Sequence, residues 1–160
     1  MTHVSRVTRT VRVLPLLLLA TACGGGGDGG KAAYVAEAEA VCTKANDAQQ
    51  AATLPVSADA IPVYVRQVVT IAADASAGLD ALEPPEDDAA ELDEKFLGPL
   101  REQVVLGEAY ATKVEQTAAK GDPNAVLALL GSAPLETKAD LAFLESYGFA
   151  ECVEAADTSS

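Results

Sequence analysis

Few side chains in this sequence are able to do chemistry, and their spacing narrows what that chemistry is. Cysteines stand at 23, 42 and 152, while the only histidine is His3 and the only methionine is Met1. Carboxylates are densest at Glu83, Glu86, Asp87 and Asp88. Calcium takes about six to eight oxygen ligands, so this run is a candidate cation site. Its spacing lacks the alternate-position pattern of an EF-hand loop, and Pro84-Pro85 stiffens it; the same acids also suit a solvated loop that caps a helix. Tyr34, Tyr64, Tyr110 and Tyr147 fall one to each major segment. They are candidates for lining a ligand pocket at one end of a bundle, or for core positions with the hydroxyl at the surface. A pair of carboxylates could serve glycoside hydrolysis, but a small chain without tryptophan and with few aromatics is a poor host for a sugar.

The N-terminus bears on all of these. Arg6, Arg9 and Arg12 give a basic start without an acid, followed by an apolar stretch from Val13 to Ala20. That stretch is well short of the ~20 residues a spanning helix needs. A basic start, a short apolar centre and the small residues Ala20, Thr21 and Ala22 are the pattern of a cleaved secretory signal. Leu19-Ala20-Thr21-Ala22-Cys23 resembles the lipobox of bacterial lipoproteins, in which the cysteine is acylated and becomes the new N-terminus. It departs in holding alanine, not leucine, three places before the cysteine. Cys23 is therefore the expected lipidation site, residues 1–22 the signal, and the glycine-rich stretch 23–30 a flexible tether with an r.m.s. reach on the order of 16 Å. A phosphate-cradling loop would need a strand before those glycines, and the segment before them is expected to be removed.

Cleavage changes the inventory. It takes away His3, and with it Ser-His and Cys-His nucleophiles, Glu-x-x-His di-iron sites and zinc sites of histidine type. Loss of Met1 removes methionine-ligated haem or copper, and no cofactor is expected. The signal takes three of the 11 basic residues and none of the 24 acids, leaving 8 against 24 and a formal charge of −16. Such a balance argues against nucleic acid, whose affinity comes largely from Lys and Arg at phosphates. With Cys23 assigned to lipid, Cys42 and Cys152 remain. In an oxidising compartment they form the one disulfide available, and two cysteines without histidine fall short of a zinc set.

The elements that must position these residues are helical. Alanine is the strongest helix former, and apolar residues recur at three-four spacing through most of the chain. A first helix is expected from about Lys31 to Ala52, with Tyr34, Ala38, Val41, Ala45, Ala48 and Ala52 inward and Cys42 at the border. A second opens near Ser57 or Asp59, presents Ile61, Val65, Val68, Ala72, Ala75, Leu79 and Leu82, and stops at Glu83-Pro84-Pro85. A third spans about Glu86 to Lys120, with Leu97, Leu100, Val104, Gly107, Ala111 and Val114 inward and a kink at Gly98-Pro99. Asp122-Pro123 starts a short helix over Val126 to Leu130, and Pro134 to Tyr147 forms another, carrying Leu135, Leu141, Phe143 and Leu144 and ending at Gly148.

The expected fold is all-α: an up-down antiparallel bundle of about four main helices over residues 31–153, the last region split into two short helices, with a flexible tail over 154–160. The lipobox cysteine, the glycine tether, an early cysteine, Leu82-Glu83-Pro84-Pro85-Glu86-Asp87 and the ending Tyr147-Gly148-Phe149-Ala150-Glu151-Cys152 together resemble small helical lipoproteins common in high-GC Gram-positive bacteria. That resemblance implies the same paired cysteines and bundle, and no activity. The expected role is a non-enzymatic module on the outer face of the cell membrane, held by lipid and serving an envelope protein partner. The alternative is a carrier of a small ligand or cation, in an inter-helix cavity or at Glu83–Asp88.

Overall fold

The structure, a computed structural model, describes residues 28–133 and 138–157. The expected signal, Cys23, the first part of the tether and Leu135 lie outside the described residues. Among the described residues all regular structure is helical: α1 (Asp28–Ala51), α2 (Ile61–Asp80), α3 (Ala89–Leu92), α4 (Gly98–Ala118), α5 (Pro123–Leu130), α6 (Leu141–Tyr147) and α7 (Ala150–Asp157). No helix among them is long and apolar enough to cross a membrane.

Two boundaries correct the expected ones. The tether was expected to run to Gly30, yet α1 already begins at Asp28. Glycine is a poor helix former, but adding residues to an existing alanine-rich helix needs no new nucleus. At the other end, residues 154–157 belong to α7 and not to a flexible tail. The disulfide and the bonds described below hold that helix against α1.

α1 buries Tyr34, Ala38, Cys42 and Ala45, so Cys42 sits on the inward stripe and Val41 beside it is half-buried. α2 is preceded by a single 3₁₀ turn at Ala58–Ala60, with Pro62 in its first turn, where a missing N–H costs nothing. Its buried stripe is Ile61, Val65, Val69, Ser76 and Leu79. The expected positions Val68 and Ala75 are only half-buried, one place off the stripe, because α2 is gripped from two sides. Gly78 lets α1 approach so closely that an added Cβ would lie 3.0 Å from Val41, and Gly107 of α4 does the same beneath Val69 at 3.3 Å. α4 runs antiparallel to α2: Arg66 near the start of α2 reaches Glu115 late in α4, and Asp80 at its end meets Arg101 early in α4.

The third segment begins at Ala89, after turn residues 86–88, and continues to Ala118 with a change of pitch in place of a break. Residues Asp93–Leu97 form a π turn, and the Gly98 N–H donates to the Asp93 carbonyl. The extra residue presses that carbonyl against Gly98, where a Cβ would stand 2.7 Å from the oxygen; only glycine fits. Pro99 has no N–H to offer the Lys95 carbonyl four residues back. That carbonyl accepts the Asp140 N–H instead, at 3.0 Å, and so docks the start of α6 on the irregular turn.

The final third differs most from expectation. α6 starts at Leu141, and residues 138–140 are not helical, so the helix expected from Pro134 is much shorter. Asp140 supplies its N-cap, accepting from the Phe143 N–H at 3.0 Å. Gly148 adopts φ +111° and turns the chain left-handed into α7. The bundle is thus three long helical segments (α1, α2 and α3–α4) with three short helices packed on them. The core falls into two parts. One gathers Tyr34, Cys42, Leu79, Leu92, Phe96, Leu144, Phe149 and their neighbours. The other, at the opposite end, gathers Ile61, Val65, Val69, Ala111, Val114 and Val126 under α5.

Candidate functional site

Cys42 and Cys152 form a disulfide that joins α1 to α7 across 110 residues of sequence. Both are buried, and the bond does not act alone. The Glu39 carboxylate accepts from the N–H groups of Glu151 at 3.0 and 3.1 Å and of Cys152 at 3.4 Å, satisfying the exposed donors of the first turn of α7. Asn46, one turn beyond Cys42, donates through Nδ2 to the Glu151 carbonyl at 3.0 Å. These contacts latch α7 onto α1, and Phe149 enters the core behind them, fully buried.

Phe149 is the residue that sequence reasoning missed, and it organises the aromatic chemistry of this end. Tyr147 stacks on it at 4.9 Å between centroids, Phe96 lies at 5.4 Å, and Tyr34 meets it edge-on at 6.1 Å. Its only sequence signal is its place between the left-handed Gly148 and Cys152. Two of the four candidate pocket tyrosines, Tyr34 and Tyr147, are therefore brought together. Tyr110 belongs with the other core, donating to the Leu129 carbonyl at 3.1 Å, and Tyr64 stays half-buried in the first turns of α2. The four do not line one pocket.

Tyr147 donates to Asp88 Oδ2 at 2.6 Å and carries the Lys31 ammonium 3.7 Å above its ring. Burial, with the neighbouring Asp88 carboxylate, pushes its phenol well above the usual tyrosine range. Burial likewise raises Tyr34, whose hydroxyl has no hydrogen-bond partner among the described residues. Beside Tyr147 lies an open surface groove of about 460 Å³, lined by Lys31, Asp88, Glu91, Lys95, Asp140 and Phe143 among others. Lys95 pairs with Glu91 at 2.6 Å and sits 4.9 Å from the Phe143 ring, so the groove is of mixed charge.

The candidate cation ligands do not converge. Glu83, Glu86 and Asp87 are exposed, while Asp88 turns to Tyr147. Among the described residues no three potential metal ligands lie close enough together to hold an ion. Comparison with protein-family models, with curated proteins and with solved structures returns no match for the chain.

Proposed function

We propose that this chain is an exported lipoprotein, cut before Cys23 and anchored through it to the outer face of the cell membrane. Its helical domain then acts as a non-enzymatic interaction or accessory module for an envelope protein. One observation carries the reading: the basic, apolar and small-residue sequence from Arg6 to Cys23 is followed five residues later by the first turn of α1. Five residues span no more than about 17 Å, so the module stands directly on the bilayer. The buried Cys42–Cys152 bond suits an oxidising compartment. A mature chain without histidine, whose carboxylates do not converge among the described residues, suits binding better than catalysis.

The test is the fate of Cys23. The wild-type chain should fractionate with membranes and give an N-terminal peptide with acylated cysteine by mass spectrometry, and Cys23→Ser should abolish both. An intact, unacylated N-terminus in the soluble fraction would sink the proposal. Cross-linking in intact envelopes then tests the module role, which loses its support if no envelope protein is enriched over the Cys23→Ser control.

A second reading, a carrier of small polar ligands, is favoured only by the groove beside Tyr147. Thermal melting against envelope metabolites tests it, because a ligand at 100 times its Kd adds about 2.7 kcal/mol.

A further inference from the structure

The link between α1 and α2 is exposed, uncharged and without backbone hydrogen bonds of its own. Leu54 is 70% exposed and Val56 98%, the highest of any large apolar side chain among the described residues. From Ala52 to the 3₁₀ turn at Ala58–Ala60 the chain is not helical, and Ser57 is extended, at φ −147° and ψ 158°. No backbone N–H from Thr53 to Ser57 donates a hydrogen bond among the described residues. α1 is about 36 Å long, so the link lies that far from the helix's start, at the end of the bundle where α5 packs. Thr53 to Ala58 carry no charge, and residues 45–65 hold no lysine or arginine. The other long link that is wholly described, residues 81–88, differs. It carries Glu83, Glu86, Asp87 and Asp88, is stiffened by Pro84-Pro85, and folds back as the Asp88 N–H donates to the Pro85 carbonyl at 3.0 Å.

We infer that the Val56–Ser57 peptide bond is a processing site for an endopeptidase whose primary pocket takes a small aliphatic side chain. Exposed links with small and polar residues are where nicking concentrates. A peptide bound as an added strand gives its backbone N–H and C=O groups to the partner and its alternate side chains to pockets. A helix must unwind to do this, whereas the link already has its donors free. Val56 supplies the pocket residue. The bond after Leu54 is closed to most endopeptidases, because Pro55 replaces its N–H with a ring. A trypsin-type pocket, built around a carboxylate, finds no base in the link. In the cut, water adds across the amide. Its hydroxyl goes to the Val56 carbonyl carbon and its hydrogen to the Ser57 nitrogen, leaving a carboxylate on one piece and an ammonium on the other.

The disulfide decides what the cut does. Cys42 lies before the bond and Cys152 after it, so the two pieces stay covalently joined. Glu39 and Asn46 of the first piece continue to hold the first turn of α7 in the second. Cleavage therefore yields a two-chain protein and releases no fragment. The end of α1 and the start of α2 become independent termini, free to move apart.

The inference goes beyond the proposed envelope role and does not depend on lipid. Elastase, whose primary pocket is small, is the probe for the folded full-length chain. Its first cut within residues 31–153 should fall after Val56, giving one band on a non-reducing gel and two after reduction. Trypsin should leave the link whole. Val56→Asp touches an exposed side chain only, so helical circular dichroism should be unaltered while the elastase cut slows by about tenfold or more. Chain recovered from the cells that make it should contain a piece beginning at Ser57, found by mass spectrometry after labelling of free amino termini. A first elastase cut elsewhere in that range, an unchanged rate in Val56→Asp, or cells that hold only the uncut chain each overturn the inference.

Discussion

Tyr34 and Tyr147 pack against the same ring, Phe149, but their hydroxyls meet different partners. That of Tyr147 donates to a carboxylate, a type of bond that contributes about 1.5–3 kcal/mol, whereas that of Tyr34 is buried without a partner among the described residues, at a desolvation cost of about 1–3 kcal/mol. The two conservative substitutions should therefore differ in sign: Tyr147→Phe destabilises by about 2 kcal/mol, and Tyr34→Phe is neutral or stabilises by about 1 kcal/mol. Urea titrations of both variants check this, and a loss of stability in Tyr34→Phe would contradict it. The same tyrosines set the alkaline limit. Tyr34, Tyr110 and Tyr147 all have phenols held above the ordinary value of 10.0, chiefly by burial. The unfolded chain thus gives up these protons first as pH rises. The stability they contribute is complete below about pH 10 and drains away as pH climbs from there through the folded values. Melting temperatures from pH 8 to 12 should fall beyond 10, and Tyr147→Phe should flatten the fall.

At the scale of elements, Gly98 reverses a common rule. Glycine to alanine in a helix usually stabilises by about 0.5–1 kcal/mol. Here the Cβ would meet the Asp93 carbonyl at 2.7 Å, so Gly98→Ala should destabilise and loosen the contact between Lys95 and Asp140. Hydrogen exchange at the Asp140 amide reads that directly. Asp122→Ala removes the N-cap of α5, which accepts from Asn124 and Ala125, and should cost about 1 kcal/mol.

Those caps also mark what the sequence made legible. Asp122-Pro123, the Pro84-Pro85 stop, the left-handed Gly148 and the Cys42–Cys152 pair all follow from local backbone rules or from counting thiols. The one-place shift from Val68 to Val69 and from Ala75 to Ser76 does not, because it depends on how α1 and α4 press on α2 from two sides. Nor does the helical state of residues 154–157, the end of a helix whose first turn Glu39 and Asn46 hold from more than a hundred residues away. The candidate cation site failed for a related reason: proximity in sequence drew Asp88 together with Glu83, Glu86 and Asp87, and tertiary structure gave it to Tyr147.

For the whole molecule, cross-linking and charge oppose each other. The disulfide closes 110 residues, and its removal in Cys42→Ser with Cys152→Ser should cost about 2–5 kcal/mol and release α7 first. Against this staple stands the self-repulsion of nine acids with two bases in residues 80–102. Salt acts on both the attractive and the repulsive charge terms, so their relative size decides the outcome. The ion pairs, such as Arg66–Glu115, Arg101–Asp80 and Lys138–Glu102, are solvent-exposed at one partner or both, and each contributes little. Glu83, Glu86, Asp87 and Glu94, which form no ion pair among the described residues, add like charge within the same short stretch. At low ionic strength the screening length is about 30 Å, and it contracts to about 3 Å in molar salt. NaCl should therefore raise the melting temperature of this protein even though it weakens every ion pair. Glu83→Lys with Glu94→Lys, placed in the repulsive stretch, should raise the melting temperature at low salt and reduce its dependence on NaCl. If calorimetry instead showed melting to fall with salt, the ion pairs and not the excess acids would govern the fold's electrostatics.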